Sequence, residues 1–319
     1  MDKTSRIFLA GHRGLVGSAI LRRLQADGFA NVVVRSRAEL DLTDAPNVDA
    51  FFKSERPSHV FMAAARVGGI VANNSFGADF LRVNLQIQTN VIDAAHRFGA
   101  QKLLFLGSSC IYPKFAAQPI REDSLLTGPL EPTNESYAIA KIAGIAMCQA
   151  YRKQFGFDAI SLMPTNLYGP NDNFDLTSSH VLPALMRKMH EAKLAGAPSV
   201  AVWGSGTPRR EFLHVDDMAD ACLFLMNGYS SGDIVNVGVG EDIPIADLAH
   251  LIAEIVGYKG ELAFDASKPD GTPRKLLDVS RLTAAGWTAR TPLRDGIAKT
   301  YRWYLDHVAA GDARGVAAQ

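Results

Sequence analysis

The chain has 319 residues, 47% of them hydrophobic and 21% charged, which is enough for a large buried core and about two domains and excludes a disordered or fibrous protein. Its 33 Lys and Arg balance 33 Asp and Glu, so no net field is available to hold nucleic acid or an anionic membrane surface, and any cationic site has to be local. Three cysteines, Cys110, Cys148 and Cys222, are too few for a disulfide framework, and no CxxC pair suggests zinc, so reduced thiols and no metal site are expected.

The opening stretch MDKTSRIFLAG puts charges where a secretory leader needs its apolar core, and no run approaches the roughly 18 to 20 apolar residues of a membrane span. A cytoplasmic protein without nucleic-acid or membrane partners is expected. Short apolar runs at 6–10, 32–35, 59–63, 103–107 and 159–163 read as strands. Amphipathic stretches at 16–27, 48–55, 80–98 and 137–155 alternate with them and read as helices. Repeated βα units of this kind predict a Rossmann-like, doubly wound parallel sheet.

Gly11, His12, Arg13, Gly14, Leu15, Val16 and Gly17 follow the first strand and open the first helix, the context a dinucleotide-binding loop requires. The spacing is GxxGxxG; the glycines permit a tight turn and close backbone approach to a pyrophosphate, and the helix N-terminus supplies N–H donors. After the second strand, where an NAD-selective site has an acid for the ribose hydroxyls, this chain has Arg35, Ser36 and Arg37. Arg13 and Arg37 together suit a 2′-phosphate, so NADP(H) is expected, although a solvated basic turn would use the same residues. Asp41 and Leu42 lie further on, where Asp41 suits either an adenine contact or a cap on the next helix.

Tyr137 and Lys141, four apart on one helix, project from the same face. An ammonium beside a phenol stabilises the phenolate, making the pair a proton donor for a carbonyl under reduction. Leu106, Gly107, Ser108 and Ser109 end the fourth strand, where open α/β sheets bind ligands, and Ser108 is suited to hydrogen-bond that carbonyl.

A glycine loop near the N-terminus, a strand ending in Ser and then YxxxK resemble the extended short-chain dehydrogenase/reductases. Within them, GHRGLVGSAI, AAARVGGIVANN, LGSSCIYPK, EPTNESYAIAKIAG, MPTNLYGPNDNF, VWGSGTPRREFLHVDDMA and DASKPDGTPRKLLD are similar to the GDP-L-fucose synthase family, over nearly the whole chain. The resemblance implies NADPH-dependent conversion of GDP-4-keto-6-deoxy-D-mannose, with inversion at C3 and C5 and hydride reduction at C4. Its acid/base pair matches Cys110 and His180. Read from the residues alone, Cys110 suits packing as well as catalysis, and His180 is a surface residue at a helix start. A thiol and an imidazole that approach each other would stabilise a thiolate and imidazolium.

The resemblance further implies that Ala64, Leu106, Gly107, Ser108, Tyr137, Lys141, Pro164, Thr165, Asn166, Leu167 and His180 lie on the cofactor side. Arg187, Trp203, Arg210, Asp270 and Lys275 match substrate-binding positions. Trp203 suits either stacking on guanine or covering the interface between lobes, whereas His214, Asp216 and Asp217 read as a helix start. Another nucleotide-sugar epimerase or a dehydratase is the alternative, though such dehydratases carry Thr-Asp-Glu where this chain has Ser108, Ser109 and Cys110. A non-catalytic NADPH-sensing regulator is the alternative from another class.

After Pro164 the βα rhythm degrades: 165–179 and 202–210 read as loops, 180–195, 215–226, 245–256 and 293–307 as helices, with short strands near 200, 234 and 262. The expected organisation is an NADP(H)-binding domain at 1–164, rejoined by about 211–238, and a partly interleaved substrate lobe over most of 165–319. The Ala- and Gly-rich tail after Ala309 reads as loose. A homodimer is implied by the resemblance, with helices 80–98 and 137–155 as its packing elements.

Overall fold

The computed structural model describes residues 1–69, 73, 75–268 and 270–309; the tail after Ala309 lies outside the described residues. Six strands form one parallel sheet: β1 Ile7–Ala10, β2 Val32–Val33, β3 His59–Met62, β4 Lys102–Leu106, β5 Asp158–Pro164 and, much later in the chain, β10 Val235–Val237. Their spatial order is β10-β5-β4-β3-β1-β2. The chain steps from β1 outward to β2 and then back across to β3, so the order reverses between β1 and β3. In open sheets of this kind the crevice at that reversal, beyond the carboxyl ends of the strands, is where ligands bind.

Every residue of β1, β3 and β4 is buried, as strands between two helical layers must be. The two-residue period divides them. Ile7 and Leu9 pack with Phe61, Leu104 and Ile160 beneath helices α1 Leu15–Ala26 and α6 Val215–Gly228. Phe8 and Ala10 pack with Val60, Met62 and Phe105 beneath α2 Ala45–Glu55, α3 Gly77–Arg97 and α4 Glu135–Phe155. Truncating a side chain such as Phe61, which is 0% exposed, to Ala would cost about 3 to 5 kcal/mol. Helix α2 starts earlier than its apolar pattern suggests, because Asp44 caps it by accepting from the Asn47 N–H at 3.2 Å and Pro46 occupies its first turn. Asp44, and not Asp41, is that cap.

A second core gathers Phe174, Met186, Met189, Leu248, Ile252, Ile297 and Tyr301 from α5 Val181–Ala195, α7 Ile245–Val256, α9 Leu293–Tyr304 and the segment before α5. Around it lie small sheets. Strand β6 Asn166–Tyr168 pairs with β9 Phe212–His214, and β7 Ser199–Trp203 with β12 Glu261–Asp265. Strand β8 Arg209–Arg210 sits between β11 Ile243–Pro244 and β13 Arg274–Lys275. The segments expected as loops at 165–179 and 202–210 therefore contain β6, the last residues of β7, and β8. Two- and three-residue strands carry too little alternation to register as a pattern, and their partners lie far along the chain. The turn α8 Ser280–Ala284 escaped the sequence reading for the same reason.

Candidate active site

The glycine loop sits at the reversal between β1 and β3. Gly11 has φ +83°, and a Cβ there would come within 2.8 Å of the Ala64 nitrogen, so the turn passes directly against the end of β3. A Cβ on Gly17 would lie 2.0 Å from the Gly11 carbonyl oxygen, so α1 closes tightly on the same turn. Gly14 is the N-cap of α1 and provides no side-chain cap. The first turn of that helix thus offers backbone N–H groups and its positive dipole end to an anion. Leu15 and Val16 start the helix and pack on the core beneath it. His12 is half-buried, and its pKa is lowered by burial and by Arg13 beside it.

Three basic residues frame this loop differently. Arg13 is exposed. Arg35 is turned away to Glu55 at 2.7 Å, whereas Arg37, with 74% of its side chain exposed, pairs with Asp41 at 3.3 Å. Asp41 also accepts from the Thr43 N–H and hydroxyl, at 2.9 and 2.8 Å, next to Leu42. The turn does contain a carboxylate that the sequence reading passed over: Glu39 accepts from the Ser36 N–H and hydroxyl, at 2.7 and 2.6 Å. Its position after a helical-type turn, and not directly after β2, hid it.

The second cluster lies at the carboxyl end of β4, beyond Leu106 and Gly107. Ser108 caps a 3₁₀ turn, Ser109–Ile111, accepting from the Cys110 N–H at 3.2 Å. Lys141 Nζ is buried and donates to the Leu106 carbonyl at 2.7 Å, and burial lowers it from 10.5 to about 8. One turn earlier on α4, Tyr137 has its phenol pushed well above the usual range, by burial first and by charge at Cys110 second, with Ser108 pulling the other way. A phenol held protonated beside an ammonium is a proton donor in waiting.

Cys110 is half-buried, unlike Cys148 and Cys222, which are buried and pushed up by burial. Burial pushes Cys110 up as well, but Lys275, whose Nζ donates to Sγ at 3.4 Å, and Ser108 outweigh it, and the net direction is down. The cation at the sulfur is Lys275, and the mutual thiolate–imidazolium pairing of Cys110 with His180 is not what the structure shows. His180 is the N-cap of α5 and an exposed residue as a whole. Surrounding protein, and then Lys275, lower its pKa, so both acid/base candidates border the same ammonium. The hydroxyl of the neighbouring Ser179 is buried with no partner among the described residues.

Residues 7–238 match the model of the NAD dependent epimerase/dehydratase family. The chain belongs to that family. It is 64% identical over 307 residues to GDP-L-fucose synthase 1 of Arabidopsis thaliana, covering 96% of this chain and 95% of that one. It is 57% identical over 311 residues to GDP-L-fucose synthase of Escherichia coli K12, covering 95% and 97%. Among solved structures, a GDP-L-fucose synthetase from Naegleria fowleri bound to NADP superposes with a TM-score of 0.90 at 29% identity, covering 98% of this chain and 97% of that one.

The remaining candidate positions come from the second core region and from the strand that leads into it. Pro164 ends β5, the Thr165 N–H donates to Val237 at 3.0 Å, and Asn166 Nδ2 donates to the Glu211 carbonyl at 2.7 Å, with Leu167 next on β6. Arg187 is held by Glu191 at 2.7 Å and by the Phe174 carbonyl at 3.1 Å. Trp203 is 54% exposed, with Lys188 and Lys268 ammonium groups 5.2 and 5.7 Å from its ring centre, and so is not buried between lobes. Asp270 accepts from the Ser205 N–H and hydroxyl at 2.7 and 2.8 Å, fixing the loop after Trp203. Arg210 is half-buried, and burial lowers its pKa against the pull of Asp270 and Cys110. His214 is the N-cap of α6, accepting from the Asp216 N–H at 3.3 Å, and Asp217 accepts from the Thr291 N–H at 2.9 Å; these are structural.

Glu211 was missed. It is 0% exposed, and its carboxylate accepts from the Val239, Gly240 and Leu277 N–H groups at 2.6, 2.7 and 3.0 Å. It ties the turn after β10 and the segment after β13 to the chain carrying Arg210. Burial raises its pKa against those three bonds. An acid between Arg210 and Phe212 reads as surface in sequence; its inward position follows only from the pairing of β8 and β9 with distant strands.

Proposed function

We propose that this protein converts GDP-4-keto-6-deoxy-D-mannose to GDP-L-fucose, inverting C3 and C5 and reducing C4 with NADPH. The observation that carries this reading is the gathering of Ser108, Cys110, Tyr137 and Lys141 at one strand end, in a chain 57 to 64% identical to GDP-L-fucose synthases over almost all its length. The loop from Gly11 to Gly17 fits a pyrophosphate: it is uncapped, backbone-lined and closed against Ala64. Arg13 and Arg37 fit the 2′-phosphate, with Asp41 and Leu42 along the adenosine. Leu106, Gly107, Pro164, Thr165, Asn166, Leu167 and His180 border the nicotinamide side. NADPH supplies the hydride that reaches C4.

Both inverted carbons flank the ketone, so each proton leaves as an enolate forms and returns on the other face. Cys110 and His180 serve as the proton carriers on the two faces. Ser108 orients the ketone oxygen, Tyr137 gives it a proton during reduction, and the Lys141 ammonium stabilises the phenolate left behind. Arg187, Trp203, Arg210, Asp270 and Lys275 form the nucleotide-sugar side, Arg210 acting on the diphosphate. The reading extends to a cytoplasmic homodimer built on α3 and α4; α4 exposes Ile139 and Phe155. The residues from 1 to 164 and about 211 to 238 form the cofactor domain in this account and most of the rest forms the substrate lobe. Mixing protein, NADPH and GDP-4-keto-6-deoxy-D-mannose and following nicotinamide absorbance with sugar NMR tests it. Oxidation with a product inverted at C3 and C5 is expected, and absence of oxidation overturns it.

A further inference from the structure

Strand register brings Lys275 to the Cys110 sulfur and puts Arg210 on the same face. In the small sheet β13 runs parallel to β8, with Arg274 opposite Arg209 and Lys275 opposite Arg210. Paired residues share a face and successive residues alternate, so the four cations are sorted in twos. Arg209 and Arg274 both donate to the Asp242 carboxylate, at 2.6 and 2.5 Å. On the other face Lys275 Nζ lies 3.4 Å from Cys110 Sγ, and Arg210 lies within the field of the same sulfur.

We propose that Lys275 is a positioning residue that holds Cys110 as a thiolate before substrate arrives, an inference that rests on the reading of Cys110 as a proton carrier at C3 and C5. The sulfur faces Lys275 from β13, Arg210 from β8, Ser108 from its own turn, Tyr137 from α4, and Glu131 from the 3₁₀ turn that precedes α4. Glu131 opposes ionisation, but its carboxylate has Lys114 3.8 Å away and caps the Thr133 N–H at 3.0 Å. Asp270, the carboxylate whose charge acts on Arg210, is engaged in holding the loop at Ser205. Beside a thiolate, Tyr137 is held protonated, the form its role in reduction requires. In the proton step, thiolate sulfur takes the proton from the carbon next to the ketone while the C–H electron pair passes into the enolate, and the enolate carbon takes a proton on its other face from His180, which regains one from solvent. The resulting thiol then returns its proton to solvent, and Lys275 restores the anion.

The test is the pH dependence of Cys110 alkylation by iodoacetamide in the full chain, read by peptide mass spectrometry from pH 5.5 to 9.5. Cys148 and Cys222, each at most 1% exposed, stay unmodified if the fold is intact and serve as the control. In Lys275→Met the alkylation midpoint should rise by at least about one pH unit, with the thiolate fraction at neutral pH falling accordingly, and Lys275→Arg should restore it. Deuterium exchange into the sugar should fall in Lys275→Met at pH 7 and recover as pH is raised. An unmoved midpoint with a raised KM would overturn the proposal and leave Lys275 as a diphosphate contact. Parent-like exchange in Cys110→Ser would instead overturn the proton-carrier reading, while the alkylation midpoint would still decide whether Lys275 holds the thiolate.

Discussion

Lys141→Met should separate the chemistry of the site from its stability. The ammonium is 4% exposed, has no carboxylate partner among the described residues, and is lowered from 10.5 to about 8 by burial. Between about pH 8 and 10 the unfolded chain binds a proton there that the folded chain does not, so the folded state gains stability as pH rises through that window. Below about pH 8 the full cost of the buried charge is present, about 3 kcal/mol at about 1.4 kcal/mol per pH unit. Methionine removes the charge and nearly conserves volume, but it takes the donor from the Leu106 carbonyl, which costs about 1 to 3 kcal/mol. At pH 7 the variant should therefore match the parent or exceed its stability by up to about 2 kcal/mol, and that advantage should shrink by about 2 kcal/mol by pH 9.5. Carbonyl reduction should fall by about 100-fold or more. Urea unfolding at both pH values and NADPH oxidation by each protein supply the comparison. A variant destabilised by about 3 kcal/mol at pH 7, with the parent's own pH slope, would refute the reasoning, because Lys141 would then be a structural donor and not a strained charge.

Arg13→Ala with Arg37→Ala should erase the preference for NADPH over NADH in cofactor titrations; each contact is worth about 1.5 to 3 kcal/mol before solvent exposure reduces it, and an unchanged preference would put the 2′-phosphate elsewhere. Tyr137→Phe should nearly abolish reduction while deuterium still enters C3 and C5, as NMR in heavy water would record; equal loss of both would make Tyr137 an organiser of the whole pocket. Glu211→Ala strands three backbone N–H groups and should cost about 3 kcal/mol or more in urea unfolding, with Glu211→Gln recovering part of it because one amide oxygen still accepts. A neutral Glu211→Ala would mean that solvent reaches the latch.

The parallel sheet and the turns at its strand ends were legible in the sequence because each of their devices is local. The Gly11 turn, the YxxxK spacing and the strand ending in Ser108 are all set within a few residues, and continuous apolar runs marked β1, β3, β4 and β5. The small sheets around the second core were not legible in the same way. The two-residue strands carrying Arg210 and Lys275 acquire their direction only from one another, and the partner of Cys110 lies 165 residues away in the chain. Nothing local to the thiol announces an ammonium. Likewise Trp203 reads identically in sequence whether it packs or protrudes, and that Asp44 and not Asp41 caps the helix is set by the backbone of the turn.

The late arrival of β10 has a consequence for how the protein is made. Strand β5 is complete at Pro164, with Ile160, Leu162 and Met163 fully buried in the finished sheet, yet its outer neighbour begins only at Val235. About 70 residues must be synthesised in between, roughly 4 to 14 s at ordinary elongation rates. Throughout that interval the nascent sheet presents an apolar edge of unpaired N–H and C=O groups, the kind of edge to which other chains add. Whatever shields the emerging chain has to act there, and a fragment cut at Pro164 would keep that edge permanently open.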